Sequence, residues 1–353
     1  MKAVLVYLGK ELEKLDETVA LAQILDYQII EKFVQRKEYP RAKYLIGEGK
    51  LEELKNFIVQ NKIELVIFEN LLSSAQVLAL EEYLKVPVID RFDLILNVFE
   101  VRAKSKEAKL QIEIARLKRK LPYIKAFLGR KVKEDHPGFG GSGEFIIRNT
   151  ITGLRRRIRK IEKELASFEV RVLEQVKQRM NIGKVISIAG YTNVGKTTLL
   201  NALTDSKMPV KDELFTTLAT KISHLRRQEG EKIFVSDTIG FLNDLPHDLI
   251  YAFRATLSSI KNSDLILLVL DSSENLEMFR KKMSVCEQVL REVGASHIPI
   301  IYILNKIDKI SGYELKLKSD NIAHPNKIGI SALYNNGIEE LKTKIFYTLK
   351  SIV

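Results

Sequence analysis

Short apolar runs recur through the first hundred residues, separated by stretches with helical spacing. Ala3–Tyr7, Asp26–Ile30, Tyr44–Ile46, Leu65–Phe68 and Val86–Ile89 read as strands. Leu12–Leu25, Gly49–Gln60 and Ser74–Tyr83 place apolar residues every three or four positions and read as helices. This alternation predicts a small, mostly parallel α/β layer over residues 1–100. The turn Gly47-Glu48-Gly49-Lys50 opens the second helix. Such a turn either meets a phosphate or only connects a strand to a helix.

The pattern changes over residues 101–180. Leu110, Ile114, Leu117, Leu121, Ile124 and Leu128 alternate steps of four and three, as do Ile151, Leu154, Ile158, Ile161, Leu165, Phe168 and Val172. Each set is a coiled-coil-like seam too short for a free coil, which predicts an antiparallel helical hairpin. Pro122 is expected to kink or interrupt its first helix. Between the seams, Gly129–Ile147 holds five glycines and Pro137 and reads as a mobile tip, with Gly138–Gly143 outside any helix.

From 181 to 353 the strands are longer. Lys184–Ala189, Ile222–Arg226, Lys232–Ser236, Leu265–Leu270, Ile298–Leu304 and Lys327–Ile330 form an α/β pattern of their own. The expected division is therefore 1–180, made of a layer (1–100) and a hairpin (101–180), followed by 181–353.

Charge sharpens this division. The 353-residue chain has a net charge of +12. Residues 101–180 carry 22 Lys and Arg against 9 Asp and Glu, a balance of +13, so the remainder nets −1. Lys118-Arg119-Lys120 and Arg155-Arg156-Arg157-Ile158-Arg159-Lys160 are the densest runs. A cationic run is often only a solvated helix face, but concentration of the whole excess in one hairpin points to a polyanion, RNA above all. Apolar content of 45% with 29% charged residues fits a soluble globular protein. A single cysteine, Cys286, excludes an internal disulfide. No apolar run reaches the length of a membrane span, and the first strand is too short for a signal peptide, so a cytoplasmic location is expected.

The candidate chemistry lies at the strand ends of the last segment. Gly190-Tyr191-Thr192-Asn193-Val194-Gly195-Lys196-Thr197 follows a strand and, through Thr198, opens a helix. This is the phosphate-loop pattern: backbone N–H groups cradle an anion, Lys196 reaches the β- and γ-phosphates, and the Thr197 hydroxyl can ligate Mg²⁺. Asp237-Thr238-Ile239-Gly240 follows another strand. Its carboxylate can hold Mg²⁺ through water, and the Gly240 N–H can meet the γ-phosphate. In Asn305-Lys306-Ile307-Asp308, the Asp308 carboxylate can accept from guanine N1 and N2, a donor pair that adenine lacks. Lys306 can lay its stem over the base. The backbone of Ser331-Ala332-Leu333 can meet guanine O6. Thr217, between Thr216 and Thr220, is the expected third Mg²⁺ partner. Lys196, Thr217 and Gly240 are therefore the expected catalytic group. Phe241 stands where a water-orienting Gln is usual, so slow intrinsic hydrolysis is expected. His247 and Arg254 follow; surface or packing roles are at least as natural for them as catalysis.

The order of these motifs resembles that of Ras-like, translation-factor-class GTPases. Arg41–Lys50, Val88–Leu96, Val98–Lys104, the Gly-rich tip before an Arg-rich helix, Asp237–Phe241, Leu245-Pro246-His247 and Ala252–Leu257 resemble more specifically the HflX GTPases. The resemblance implies an α/β fold: a P-loop GTPase domain, a small parallel α/β domain and a long antiparallel helical hairpin. It implies GTP as substrate, GDP as product and Mg²⁺ as cofactor. It also implies binding to the large ribosomal subunit and its rRNA through the hairpin, and splitting or rescue of ribosomes under stress; a monomer is expected. The family tip usually reads Gly-Pro-Gly-Glu, whereas this chain has Gly141-Ser142-Gly143-Glu144. Phe145-Ile146-Ile147-Arg148 likewise replaces the common Thr-Gln-Leu-Glu. The alternatives are an RNA-binding module in which GTP only sets conformation, and an ATP-dependent RNA remodeller. The amino-terminal segment shows no second phosphate loop for the latter.

Overall fold

The computed structural model describes residues 1–36, 40–135, 142–180, 182–204, 221–225, 232–238, 240–242 and 260–351. The chain divides into two compact units, Met1–Val101 with Lys109–Glu164, and Arg102–Ala108 with Leu165–Val353.

The first unit contains β1 (Lys2–Leu8), α1 (Glu13–Ile24), β2 (Gln28–Gln35), α2 (Glu48–Asn61), β3 (Leu65–Phe68), α3 (Ser74–Leu84), β4 (Val88–Asp90) and α4 (Arg91–Arg102). Its sheet has the order β2-β1-β3-β4, with every neighbouring pair parallel. All four residues of β3 are buried, and β1 is buried from Ala3 onward, as expected for strands covered on both faces. Ser73 caps α3 by accepting from Gln76 N, and the Gln76 side chain bonds back to Ser73 N.

Three details depart from the sequence expectation. The second strand begins at Gln28 and runs on to Gln35, because Asp26 (φ 56°) still belongs to the turn that closes α1. Tyr44–Ile46 is not a strand: Arg41 and Leu45 exchange backbone hydrogen bonds of 2.8 and 3.0 Å, and Leu45 takes φ 65°, which a strand does not admit. Leu45 and Ile46 bury their side chains from a turn instead. Residues 91–102 form α4, which the strand–helix reading did not include. Asp90 starts it by accepting from Asp93 N at 3.1 Å, and Phe92, Leu94, Ile95, Leu96, Val98 and Phe99 are buried.

The hairpin helices are α5 (Lys106–Asp135) and α6 (Ser142–Met180). α5 continues through Pro122 without interruption. The helices also reach closer to the tip than the glycine content predicted, to Asp135 and from Ser142, leaving residues 136–141 of the expected tip outside the described residues. The flank 130–135 is rich in Arg, Lys and Glu, good helix formers that outweigh isolated glycines, and the flank 144–148, Glu-Phe-Ile-Ile-Arg, holds no Gly or Pro. Leu110, Ile114, Ile158 and Ile161 are buried, while Leu117, Leu121, Ile124 and Leu154 are only half-buried. Leu165 and Phe168 are half-buried as well, so burial in the described seam is greatest around Leu110, Ile114, Ile158 and Ile161. Lys118–Glu162 (2.9 Å) and Arg157–Glu113 (2.8 Å) ion pairs bridge the helices. Arg119 pairs with buried Asp90 and donates to Leu72 O at 2.7 Å, and Tyr123 donates to Glu81 at 3.0 Å. These contacts fasten α5 to the α/β layer.

The second unit contains β5 (Gly183–Gly190), α7 (Lys196–Leu203), β6 (Lys221–Leu225), β7 (Lys232–Asp237), β8 (Leu265–Asp271), α8 (Leu276–Val293), β9 (Ile300–Asn305), α9 (Gly312–Asp320), β10 (Lys327–Gly329) and α10 (Ile338–Lys350). Its sheet order is β10-β9-β8-β5-β7-β6, parallel except for β6 against β7. β5 and β8 are nearly continuous buried apolar runs at its centre. The carboxyl ends of β5, β7, β8 and β9 therefore open on one edge of this sheet, where α/β folds bind their ligands.

Candidate nucleotide site

The phosphate loop runs from the end of β5 into α7. Two of its residues turn left-handed, Asn193 (φ 62°) and Gly195 (φ 92°). Gly195 is required twice over: its φ disfavours a side chain, and a Cβ there would lie 2.4 Å from Asn305 Nδ2. Lys196, only 8% exposed, folds back to donate to Tyr191 O at 2.7 Å. Burial pushes its ammonium down to about 8, against the neighbouring Asp237 carboxylate, which favours the charge. Thr197 donates to Asp237 Oδ2 at 2.9 Å. The loop and the end of β7 are thus joined by two oxygen-bearing side chains. Tyr191 is buried, with Lys282 Nζ 4.7 Å from its ring centroid; Thr198 is half-buried at the first turn of α7.

Asn305 holds three segments together. Its Nδ2 donates to Val194 O at 2.8 Å, and its Oδ1 accepts from Ala332 N at 3.0 Å. Ser331 and Asn336 exchange backbone bonds of 3.0 and 3.1 Å that close the loop carrying Ala332 and the exposed Leu333. Lys306 donates to Asn193 O at 2.9 Å and pairs with Asp271 at 2.6 Å. Burial alone would raise the Asp271 carboxyl, but Lys306 and Ser273 outweigh it and hold it below the ordinary value. Asp308 is exposed in the short 3₁₀ turn Ile307–Lys309.

Gly240 and Phe241 close on the loop. A Cβ on Gly240 would lie 2.7 Å from Thr192 Cγ2 and 3.0 Å from Lys196 Nζ, so only glycine allows this approach. Phe241 N donates to Gly190 O at 3.0 Å, and Phe241 O accepts from Thr192 N at 2.8 Å. The Phe241 ring is buried.

The structure therefore brings together Gly190–Thr198, Asp237, Gly240, Asn305, Lys306 and Ser331–Leu333, with Asp308 at the rim. Thr217, together with Thr216, Thr220, His247 and Arg254, lies outside the described residues. The sequence reading missed Asp271. Its signal was faint, a carboxylate ending the buried strand next to that of the phosphate loop. The main-chain coupling through Phe241 had no side-chain signal at all.

Comparison with known proteins agrees with this geometry. The family profile described as "GTP-binding GTPase N-terminal" matches residues 12–100, "GTP-binding GTPase Middle Region" matches 102–179, and "50S ribosome-binding GTPase" matches 185–306. The chain is 41% identical over 314 residues to the GTPase HflX of Thermococcus kodakarensis, covering 88% of this chain and 70% of that protein. With the GTPase HflX of Escherichia coli K12 it is 32% identical over 347 residues, covering 96% and 81%. The crystal structure of SsGBP with GDP superposes with a TM-score of 0.55 at 31% identity, covering 100% of this chain and 99% of that one. A GTP-binding protein of Sulfolobus solfataricus in complex with GDP gives 0.50 at 31% identity, over all of both chains. By its sequence over nearly its whole length and by its phosphate-loop fold, the chain belongs to the HflX family of GTPases, enzymes that bind and hydrolyse GTP.

Proposed function

We propose that this GTPase binds the large ribosomal subunit through its basic hairpin and acts in splitting or rescuing ribosomes under stress. The observation that carries this reading is one face of α6. Arg156, Arg159, Lys160 and Lys163 are exposed on the side of the helix away from buried Ile158 and Ile161, and exposed Arg148 and Arg155 flank them. Rows of cations facing away from the seam suit a polyphosphate backbone. The cytoplasm, where ribosomes are, is the corresponding location, and a monomer the corresponding state. No described helix is long and apolar enough to cross a membrane.

In this reading the Gly190–Thr198 backbone cradles the phosphates and Lys196 sets the β- and γ-phosphates. Gly240 N–H meets the γ-phosphate, and Asp308 selects guanine. Asn305 holds the base loop and the phosphate loop at one spacing. Thr197 and Asp237 supply hard oxygen donors within reach of one ion, which fits Mg²⁺, with Thr217 as the third partner. Bound there, Mg²⁺ would neutralise charge on the β- and γ-oxygens. Buried Phe241 offers the attacking water no hydrogen bond through its side chain, which favours slow turnover until the ribosome is engaged.

Sedimentation with purified subunits in GTP, GDP and nucleotide-free states tests the reading. The expected result is co-sedimentation with the large subunit that depends on nucleotide and weakens steeply with salt. Equal recovery in the supernatant in all three states would remove it.

A further inference from the structure

The ammonium of Lys306 is tied to the protein on two sides. Its Nζ donates to Asn193 O at 2.9 Å and to Asp271 Oδ2 at 2.6 Å. We propose that Asp271 is a positioning residue for guanine nucleotide, acting through Lys306. It anchors the ammonium so that the lysine stem stands as a fixed apolar ledge against the base. The role rests on the nucleotide site assigned above and adds a residue to it.

Two independent observations lead there. The first is how firmly Asp271 is held. Its side chain is only 9% exposed, and its two carboxylate oxygens have separate partners. Oδ1 accepts from Ser273 N at 2.9 Å and from Ser273 Oγ at 2.6 Å, which leaves Oδ2 to face Lys306. The next peptide is fixed from two directions. Ser272 N donates to Asn305 O at 2.9 Å, and buried Lys318 of α9 donates to Ser272 O. A charged carboxylate nearly shut from water needs a cation, and Lys306 is the one paired with it among the described residues. Glu274, three residues on, pairs with Lys282 instead.

The second observation is backbone strain. Lys306 takes φ 65°, and Asn193, whose carbonyl accepts from it, takes φ 62°. A residue with a Cβ enters this left-handed region at a cost, and stays there where its surroundings over-determine it. Both ends of the Lys306–Asn193 bond are therefore held in uncommon conformations, and Asp271 is the charged partner at that junction. A lysine left to itself keeps its ammonium in water and its stem mobile. Ordering so long a side chain costs rotamer entropy. With the ammonium anchored, that entropy is lost before the nucleotide arrives rather than on binding, which favours affinity. Without the carboxylate, the ammonium turns to solvent and the cost returns to the binding step.

The test is a double-mutant cycle in the full chain, without ribosomes, so that the outcome is independent of the ribosome reading. GDP affinity is measured for the parent, Asp271→Asn, Lys306→Met and the two substitutions together. Asn has the shape of Asp but cannot serve Ser273 with one oxygen and the ammonium with another. Met keeps an apolar stem and loses the ammonium, so weakened binding is expected to remain measurable. Asp271→Asn should weaken GDP by about tenfold or more, the size of a lost charge-assisted bond. In the Lys306→Met background the same change should alter affinity by less than about threefold, because the carboxylate has nothing left to hold. Parental GDP affinity in Asp271→Asn would overturn the proposal. So would equal losses in both backgrounds, which would assign Asp271 to packing at the end of β8. If Asp271→Asn shows no melting transition, Ser273→Ala, which only loosens Oδ1, takes its place in the cycle. It should weaken GDP about threefold in the parent and not in Lys306→Met, the size of one neutral hydrogen bond; equal effects in the two would overturn the proposal. An unmutated chain that bound no guanine nucleotide would instead overturn the site beneath it.

Discussion

Asn305 and Val194, 111 residues apart in sequence, are joined by a side-chain to main-chain hydrogen bond of 2.8 Å. The same amide accepts from Ala332 at 3.0 Å, so one buried side chain fixes the phosphate loop against the loop that carries Ala332. Asn305→Ala leaves a carbonyl and an N–H without their partner, a loss of about 1–3 kcal/mol for each group that stays buried. GDP affinity is expected to fall by about tenfold or more on that basis, together with a lower melting temperature of the nucleotide-free chain. Isothermal titration and thermal unfolding measure the two. Unchanged GDP affinity would show that the two loops hold their spacing without this bracket.

Asp308 stands exposed at the rim, and the proposed function assigns it two guanine donors. Asp308→Asn is expected to weaken GTP by a few kcal/mol, about a hundredfold, because one acceptor becomes a donor facing a donor. Xanthosine triphosphate should bind the variant as well as or better than GTP does. Competition binding with GTP, ATP and xanthosine triphosphate decides it, and equal GTP and ATP affinities in the unmutated protein would refute the assignment.

The basic residues of the hairpin are not equivalent. Arg157, though exposed, forms an ion pair with Glu113 at 2.8 Å, whereas Arg156, Arg159 and Lys160 are exposed on the helix face away from the seam and Arg155 is exposed beside it. Replacing those four by Gln should lower large-subunit affinity and reduce the salt slope by up to about one unit per cation on a duplex-like target. Arg157→Gln should change the slope less. Binding isotherms at several salt concentrations give both numbers. The GTP affinity of both variants should remain that of the parent, since the apolar seam is untouched.

Glu69 supplies a pH prediction. Burial pushes its carboxyl up to about 7 from an ordinary 4.5, against the Arg91 guanidinium and the Thr18 hydroxyl, which favour the charge. A carboxyl whose folded value lies above its unfolded value holds its proton more tightly in the fold. Its contribution is therefore fully present below the unfolded value and is lost as pH rises from about 4.5 through about 7. Hydrogen exchange of β3 and α1 amides should show protection falling across that window. Glu69→Gln, which cannot ionise, should flatten the trend. A slope that is the same in the variant would assign the pH dependence to another group.

Legibility in the sequence followed locality. The phosphate loop, Asp237, Asn305–Asp308 and Ser331–Leu333 were readable because each sits within a few residues of a buried strand end, and the structure gathers them at one edge. What those residues touch was not readable. Arg119 reads as part of a cationic run, yet it is spent on Asp90, a residue 29 positions away. Asp271 gave only a strand end until Lys306 was placed beside it. Tyr44–Ile46 has the composition of a strand, and Leu45 overrides it with a left-handed backbone. In α5, the apolar spacing identified the helix correctly, but local breaker rules at Pro122 and Gly129 lost to the neighbouring helix formers.

The two bonds that join Gly190 and Thr192 to Phe241 are made entirely by peptide groups. Their partners would be the same whatever side chain stood at position 241, so this clasp is invisible to ordinary mutational scanning. Substituting the ring can change what packs beneath it without undoing the clasp. Only proline, which lacks the donor N–H, would remove a bond outright, at position 192 or 241. Sequence drift at position 241 could therefore run through many residue types while the connection between the segment after β7 and the loop is inherited unaltered.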